Sequence, residues 1–356
     1  MNLEPTDEQV ALRDTVRRFL ADRASIADHV RPLLDDPTGT TEPVWRELAE
    51  LGATGVLVPE EYGGAGMTMV EAGVVAEELG AALHPGPWLS TAVASVRALT
   101  RVGDTNLLAG IAEGSMIATL ALDAAATAGT SLSGELTAVP DAAAATVLLV
   151  PADGALWAVD AADPGVTVTR REHVDPTRKL FDVSLSAAHA RRLGDASDEL
   201  IDAITDDVLI ASAADALGAA TTVLNLAIGY ARVRAQFGAP IGSFQAVQHL
   251  CVDMYETVEL ARGGVLHALW AADHAQSDER RLTALRAKGF SARLATVGDT
   301  AIQVFGGIGF TWEHDAHLYL KRLLGWATLR GGSDGYLEAV GRRLATRCSV
   351  EQREGT

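Results

Sequence analysis

Only two cysteines occur in the 356 residues, Cys251 and Cys348. That is too few for a disulfide framework, and both lie in helix-like stretches where they read as buried or idle thiols. Basic residues are also short, with 29 Lys and Arg against 47 Asp and Glu and a formal charge of −18. Such a field repels nucleic acid and anionic lipid and favours solubility, and the aromatic residues are too scattered to form a base-stacking platform. An anionic substrate would need local cations to hold it. No run approaches the ~18 uncharged apolar residues of a membrane span. The opening MNLEPTDEQVALRD is acidic and polar, unlike a signal peptide. Neither an internal repeat nor a low-complexity tail is visible. The expectation is a cytoplasmic protein with neither nucleic acid nor membrane as partner.

What is present is ordinary for a packed protein: 48 % hydrophobic and 21 % charged residues, in a chain long enough for two or three units of roughly 100–200 residues. Periodicity divides it into three zones, 1–115, 116–195 and 196–356. In the first, Thr6 and Gln9 form a capping pair ahead of Val10, Leu12, Val16, Phe19 and Leu20. A second helix carries Trp45, Leu48 and Leu51 and stops at Gly52; a third carries Val70, Val74, Ala76 and Leu79. In the second zone, short β-branched runs such as 146–150 and 166–169 alternate with Asp, Pro and Gly turns, which predicts a small antiparallel β domain. The alanines 124–128 read ambiguously, with a loop as one option. The third zone returns to helical spacing at Leu209, Ala213, Leu217, Ala220, Leu224 and Ala227. Helices over 247–274, 280–304 and 317–326 follow, with a last one from about Asp334, and together they predict an antiparallel bundle. The fold class is α+β.

His314 and His317 flank Asp315, an arrangement that invites a metal reading. One i, i+3 pair lacks a third and fourth ligand, and a polar helix start accounts for it better.

Three segments carry more information. The first runs from Leu51 through Pro59-Glu-Glu-Tyr-Gly-Gly-Ala-Gly66 to Glu77-Glu-Leu-Gly80. The second runs from Tyr230 through Arg234-Ala-Gln-Phe-Gly238 to Gln245. The third is Gln303-Val-Phe-Gly-Gly-Ile-Gly-Phe-Thr-Trp-Glu-His-Asp-Ala-His317, continuing to Lys321-Arg322. In order and register they resemble the acyl-CoA dehydrogenase family, over nearly the whole chain and most weakly in the middle zone. The resemblance implies a helical domain, a β domain and a four-helix bundle, with FAD as cofactor. It also implies α,β-dehydrogenation of an acyl-CoA thioester, with electron-transferring flavoprotein as the usual acceptor. In that family one protomer surrounds the flavin ring and its neighbour reaches across with Arg-x-x-Phe-Gly and Gln-x-x-Gly-Gly segments. Carried onto this chain, Arg234 would hold the pyrophosphate through charge-assisted bonds. Gln236 and Phe237 would meet the adenosine side. Gln303, Gly306 and Gly307 would bring backbone close to the dinucleotide. Singly, Arg234 reads as a surface ion pair and the glycines as a helix end; the shared spacing favours the cofactor role.

The pattern fails where the chemistry needs a base. Most members place a glutamate 27 positions after the motif glutamine, which here is Arg330; a minority place it 26 before the motif arginine, which here is Val208. A guanidinium stays protonated and cannot accept the α-proton. Asp206 and Asp207 neighbour the second position but point about 100° apart along a helix, so neither aims where the base would be. The family's Trp-Ile-Thr segment against the flavin aligns with residues 133–142, putting Ala138 and Pro140 in the indole and threonine places, and Gly332 replaces the threonine after the base. Proline has neither hydroxyl nor N–H. Segments lent to a neighbour survive, whereas the chain's own site is eroded. This resembles the base-lacking subunits of heteromeric α2β2 acyl-CoA dehydrogenases of actinobacteria, which act on steroid side-chain thioesters.

Three readings stay open. The first is an enzyme subunit without a catalytic residue of its own, in a heterotetramer whose partner brings the glutamate. The second is a homo-oligomer with another base, for instance Asp334. The third is a flavin-free interaction protein on the same scaffold.

Overall fold

Thr6 opens the first helix by accepting the Gln9 N–H on its hydroxyl (3.3 Å) while the Gln9 side chain accepts the Thr6 N–H (3.0 Å). This reciprocal cap is the one the sequence predicts. The computed structural model describes residues 4–354, with side chains through 346; the Cys348 side chain lies outside that range. The N-terminal helices are α1 (Asp7–Arg23), α2 (Glu42–Glu50), α3 (Met69–Ala81), α4 (Val96–Val102) and α5 (Leu108–Ala112), with a π-helical turn at Leu89–Ser95 leading into α4. Thr68 and Glu71 cap α3 in the same reciprocal way.

Eight strands follow: β1 (Ala118–Leu120), β2 (Ala124–Ala128), β3 (Leu132–Pro140), β4 (Val147–Ala152), β5 (Ala155–Asp160), β6 (Val166–Arg171), β7 (Leu180–Ala188) and β8 (Ala190–Asp195). They form two four-stranded sheets, ordered β1-β4-β5-β8 and β2-β3-β7-β6, around an apolar layer that includes Leu136, Leu148, Val150, Val159, Phe181 and Val183. Two details depart from the sequence reading. β1 and β4 pair in parallel, so the domain is not purely antiparallel. The alanines 124–128 are a strand, held by a five-residue register on β3; backbone pairing overrides alanine's weak β preference.

The C-terminal region is built from α6 (Asp198–Val233), α7 (Gln245–His274), α8 (Ser277–Gly289), α9 (Ser291–Phe305), α10 (Ala316–Thr328) and α11 (Ser333–Glu354). The stretch expected as one helix over 280–304 is two, broken where Phe290 serves as both the end of α8 and the start of α9. Between α6 and α7 lies a two-residue hairpin, β9 (Ala235–Gln236) with β10 (Ala239–Pro240). Contrary to the sequence reading, α6 is long and apolar enough to match a membrane span by length and composition. Of that window 83 % is buried inside the fold, so its apolar side chains are core.

α3 crosses α6 at close range because both are glycine at the contact. A Cβ on Gly80 would lie 1.8 Å from the Asp215 carbonyl oxygen, and one on Gly218 would lie 1.8 Å from that of Glu77. This crossing brings Asp215 of α6 to the junction between the helices and the β domain.

Candidate functional site

α6 ends at Val233, and Arg234 caps it in extended conformation with its N–H on the Tyr230 carbonyl (2.8 Å). Phe237 (φ 55°) and Gly238 (φ 81°) form the tip of the hairpin, the left-handed pair such a two-residue turn requires. Arg234 and Gln236 are exposed, as is Phe237 at 94 %, its ring touching only the edge of Phe244. Arg234 makes no ion pair among the described residues, so the surface-pair reading fails. At the same end of the bundle, Tyr230 meets Phe305 ring to ring at 5.2 Å. That contact sets the last turn of α6 against the last turn of α9, which carries exposed Gln303. Gly306 has φ 66° and ψ −143°, a conformation for glycine alone. Gly307 has nothing within 4 Å of where a Cβ would stand, so no neighbour in this chain explains it. The structure therefore brings the predicted arginine and glycine segments to one exposed end. Beside them a shallow groove of about 470 Å³ is lined by Thr222, Asn225, Leu226, Gly229, Tyr230 and His314.

His314 and His317 do not converge on a common point. The His314 ring packs on Phe305 at 4.3 Å and its Nδ1 accepts the Ala316 N–H, while His317 meets Trp312 at 4.7 Å. Asp315 pairs with Arg31 (2.7 Å). No group of three metal-ligating side chains gathers among the described residues.

Val208 of α6 and Arg330 of the α10–α11 loop line one cavity of about 340 Å³, together with Ala138 and Pro140 of β3. Four of the five positions where the sequence departs from the family pattern thus meet at a single place; the fifth, Gly332, does not line it. Arg330 holds Asp123 across the mouth (3.0 Å) from a left-handed backbone (φ 51°). Asp206 and Asp207 lie off this cavity: the first pairs with Arg281 and the second with Arg97 and Arg101. Burial pushes Asp206 up to about 6. Asp334 is exposed in the first turn of α11 and does not line the cavity, which removes it as an alternative base there.

The cavity also contains residues the sequence reading missed. Arg322, 2 % exposed, reaches Asp175 (3.3 Å), Asp215 (3.2 Å) and the His84 carbonyl (3.0 Å); Arg178 donates to Asp215 at 2.5 Å. Burial, with Arg322 alongside, holds Arg178 below the usual arginine range. Asp141 is 4 % exposed, and its carboxylate accepts the Ser90 hydroxyl at 2.6 Å; burial pushes it up to about 6 against the nearby cations Arg178, Lys179 and Arg322. Of these, Arg322 closes the third sequence segment with no buried role expected of it, and Asp215 is an acid inside the alanine-rich run of α6 that the sequence reading passed over.

The profile of the acyl-CoA dehydrogenase N-terminal domain matches residues 6–108, and that of its C-terminal domain matches residues 210–345. Acyl-CoA dehydrogenase IpdE2 of Mycobacterium tuberculosis is 36 % identical over 92 % of this chain and 94 % of its own. The chain belongs to the acyl-CoA dehydrogenase family. Acyl-CoA dehydrogenase FadE34 of the same organism is 38 % identical over 98 % of this chain, which spans about half (49 %) of that longer protein. Among solved structures, the ChsE4-ChsE5 complex from Mycobacterium tuberculosis superposes with a TM-score of 0.89 at 28 % identity, covering 97 % of this chain and 99 % of that one. The Tcur3481-Tcur3483 steroid ACAD G363A variant gives 0.88 at 30 %, covering 96 % and 99 %.

Members of this oxidoreductase family use FAD, and the two halves of the acyl-CoA dehydrogenase scaffold here fit it differently. At the exposed end, a free guanidinium and bare glycine backbone suit a dinucleotide approaching from outside. Inside the cavity, Pro140 offers no hydroxyl or N–H and Arg330 offers no base.

Proposed function

We propose that this chain is the base-lacking subunit of a heteromeric, FAD-dependent acyl-CoA dehydrogenase, and that it completes the flavin site of a partner subunit supplying the catalytic glutamate. One observation carries the reading. Val208 and Arg330 line the same cavity and neither can take a proton, while Arg234, Gln236, Gln303, Gly306 and Gly307 stand exposed, Arg234 and Gln303 without a side-chain partner among the described residues. FAD supplies the two-electron acceptor when bound. Arg234 would clamp the pyrophosphate with paired N–H groups, Gln236 and Phe237 would border the adenosine side, and the backbone at Gly306 and Gly307 would close on the dinucleotide from the partner's exterior.

The surface around these groups supports a partner chain. Val233 (78 %), Phe237, Phe310 (71 %) and Trp312 (62 %) are large apolar side chains left in solvent near the lent segments, and Val252 (60 %) and Tyr255 (57 %) follow on α7. Such a concentration marks a protein–protein interface. The structures named as the ChsE4-ChsE5 complex and the Tcur3481-Tcur3483 steroid ACAD support a two-subunit assembly, and the latter supports a steroid side-chain thioester as substrate. Electron-transferring flavoprotein as acceptor and a cytoplasmic setting complete the proposal.

Expression with and without a partner dehydrogenase tests it. The chain alone is expected to be colourless and inactive, and the co-purified pair yellow and active, with one FAD per pair of chains. Arg234→Ala in the complex should lower FAD retention and leave subunit association intact. An isolated chain that holds stoichiometric FAD and reduces a dye with an acyl-CoA would overturn the reading.

A further inference from the structure

The cavity beneath Arg330 is given no ligand in the reading above, yet it is neither filled by side chains nor left unstrained. Three of its lining residues, Ala138 (φ 52°), Asp141 (φ 54°) and Arg330 (φ 51°), are non-glycine residues in left-handed conformation. Strain of this kind persists where the surroundings enforce it and gathers at ligand sites. Most of the wall is apolar, with Leu89, Leu120, Leu122, Val208, Leu329 and Trp326.

The charged groups on the wall are nearly all consumed. Arg322 and Arg178 are met by Asp175 and Asp215, Arg330 by Asp123, Arg171 by Asp182, and the Lys179 ammonium by the carbonyls of Leu33, Leu34 and Pro176. Asp141 is the exception. A carboxylate offers about four acceptor positions, and among the described residues this one receives a single side-chain bond, from Ser90.

We propose that this cavity is a binding site in its own right, taking an uncharged ring compound that donates a hydrogen bond to the Asp141 carboxylate and lies against the apolar wall. At about 30 Å³ per water-sized group, 340 Å³ accommodates about a dozen non-hydrogen atoms. A hydroxyl or lactam N–H on the ring supplies the donor that the Asp141 carboxylate lacks. A charged ligand is disfavoured, since the surrounding cations and carboxylates already neutralise one another.

β-Naphthol is a probe of the right size, and its methyl ether keeps the shape and removes the donor. With the full-length chain, calorimetric titration should give saturable binding of one β-naphthol, weakened about tenfold or more in the ether and in Asp141→Asn. Val208→Phe, which fills the cavity, should abolish binding. If Val208→Phe does not fold, the ether and Asp141→Asn decide alone. The absence of saturable binding to the natural chain would overturn the proposal, as would equal affinity for the ether or affinity unchanged in Asp141→Asn.

Discussion

Replacing Asp141 by Asn should change stability more favourably at neutral pH than in acid. In the folded chain, burial pushes the Asp141 carboxyl from its ordinary 3.8 up to about 6. At about 1.36 kcal/mol per pH unit, that gap corresponds to about 3 kcal/mol. The sign follows from proton binding. Between pH 4 and 6 the folded state holds a proton the unfolded state has released, so stability declines as pH rises through this window and the full penalty is present above pH 6. Asparagine has nearly the same shape, carries no charge, and tolerates the left-handed backbone of position 141 as aspartate does. Its side-chain oxygen can still accept the Ser90 hydroxyl. Its new N–H groups need acceptors, and an unmet donor costs about 1–3 kcal/mol. The net expectation is therefore a gain of up to about 2 kcal/mol at pH 8, falling by about 2–3 kcal/mol toward pH 4. Urea unfolding of both chains at several pH values from 4.5 to 8, with the difference plotted against pH, measures this directly. A variant less stable than the natural chain at pH 8, or a difference that does not change with pH, refutes the account of a desolvated carboxylate. A gain would mean that the natural sequence keeps this acid at a cost in stability, as ligand sites commonly do.

Arg322→Met should cost about 3–5 kcal/mol in unfolding free energy, because it removes the cation from buried Asp175 and leaves Asp215 with Arg178 alone; thermal unfolding checks this. Gly306→Ala should lose about 1–3 kcal/mol, since its φ of 66° with ψ of −143° excludes a side chain. Gly307→Ala, in open space, should change stability by no more than about 0.5 kcal/mol and still lower FAD content in the complex; normal FAD content in that variant would remove Gly307 from the cofactor surface. His29 and His84 stack at 5.5 Å, and burial holds both imidazoles below their usual range. Their contribution is present above about pH 6.5 and is lost as pH falls and the unfolded chain takes up protons. Denaturation of His84→Leu should accordingly show a shallower loss of stability between pH 6.5 and 5.

The parts of this protein legible in its sequence are those whose cause is local. Thr6 with Gln9 and Thr68 with Glu71 specify helix starts within four residues, and the Arg234 and Gly306 segments sit at helix ends where the chain must turn whatever surrounds it. Residues 124–128 were not legible, because five alanines become a strand only when β3 lies alongside. The buried network was hidden for the same reason. Asp141, Asp175, Arg178, Asp215 and Arg322 come from a strand end, a loop and two helices, and no spacing within one element relates them. α6 shows how much a sequence can still disclose. It carries Asp206, Asp207 and Asp215 buried in a largely apolar helix, and each is met by arginine from another element: Arg281 for the first, Arg97 and Arg101 for the second, Arg178 and Arg322 for the third. Buried acids on a core helix therefore imply cations to be found elsewhere. That inference separates structural carboxylates from catalytic ones: a general base must keep a lone pair free to take a proton, and three of the four acids on the cavity wall, Asp123, Asp175 and Asp215, are committed to arginine. Asp141 alone is not, and it stands just past the strand that bears Ala138 and Pro140 rather than at either position from which the family draws its base. On the proposed reading, the erosion of one site and the preservation of the exposed segments are two consequences of the same arrangement, a chain whose chemistry faces outward.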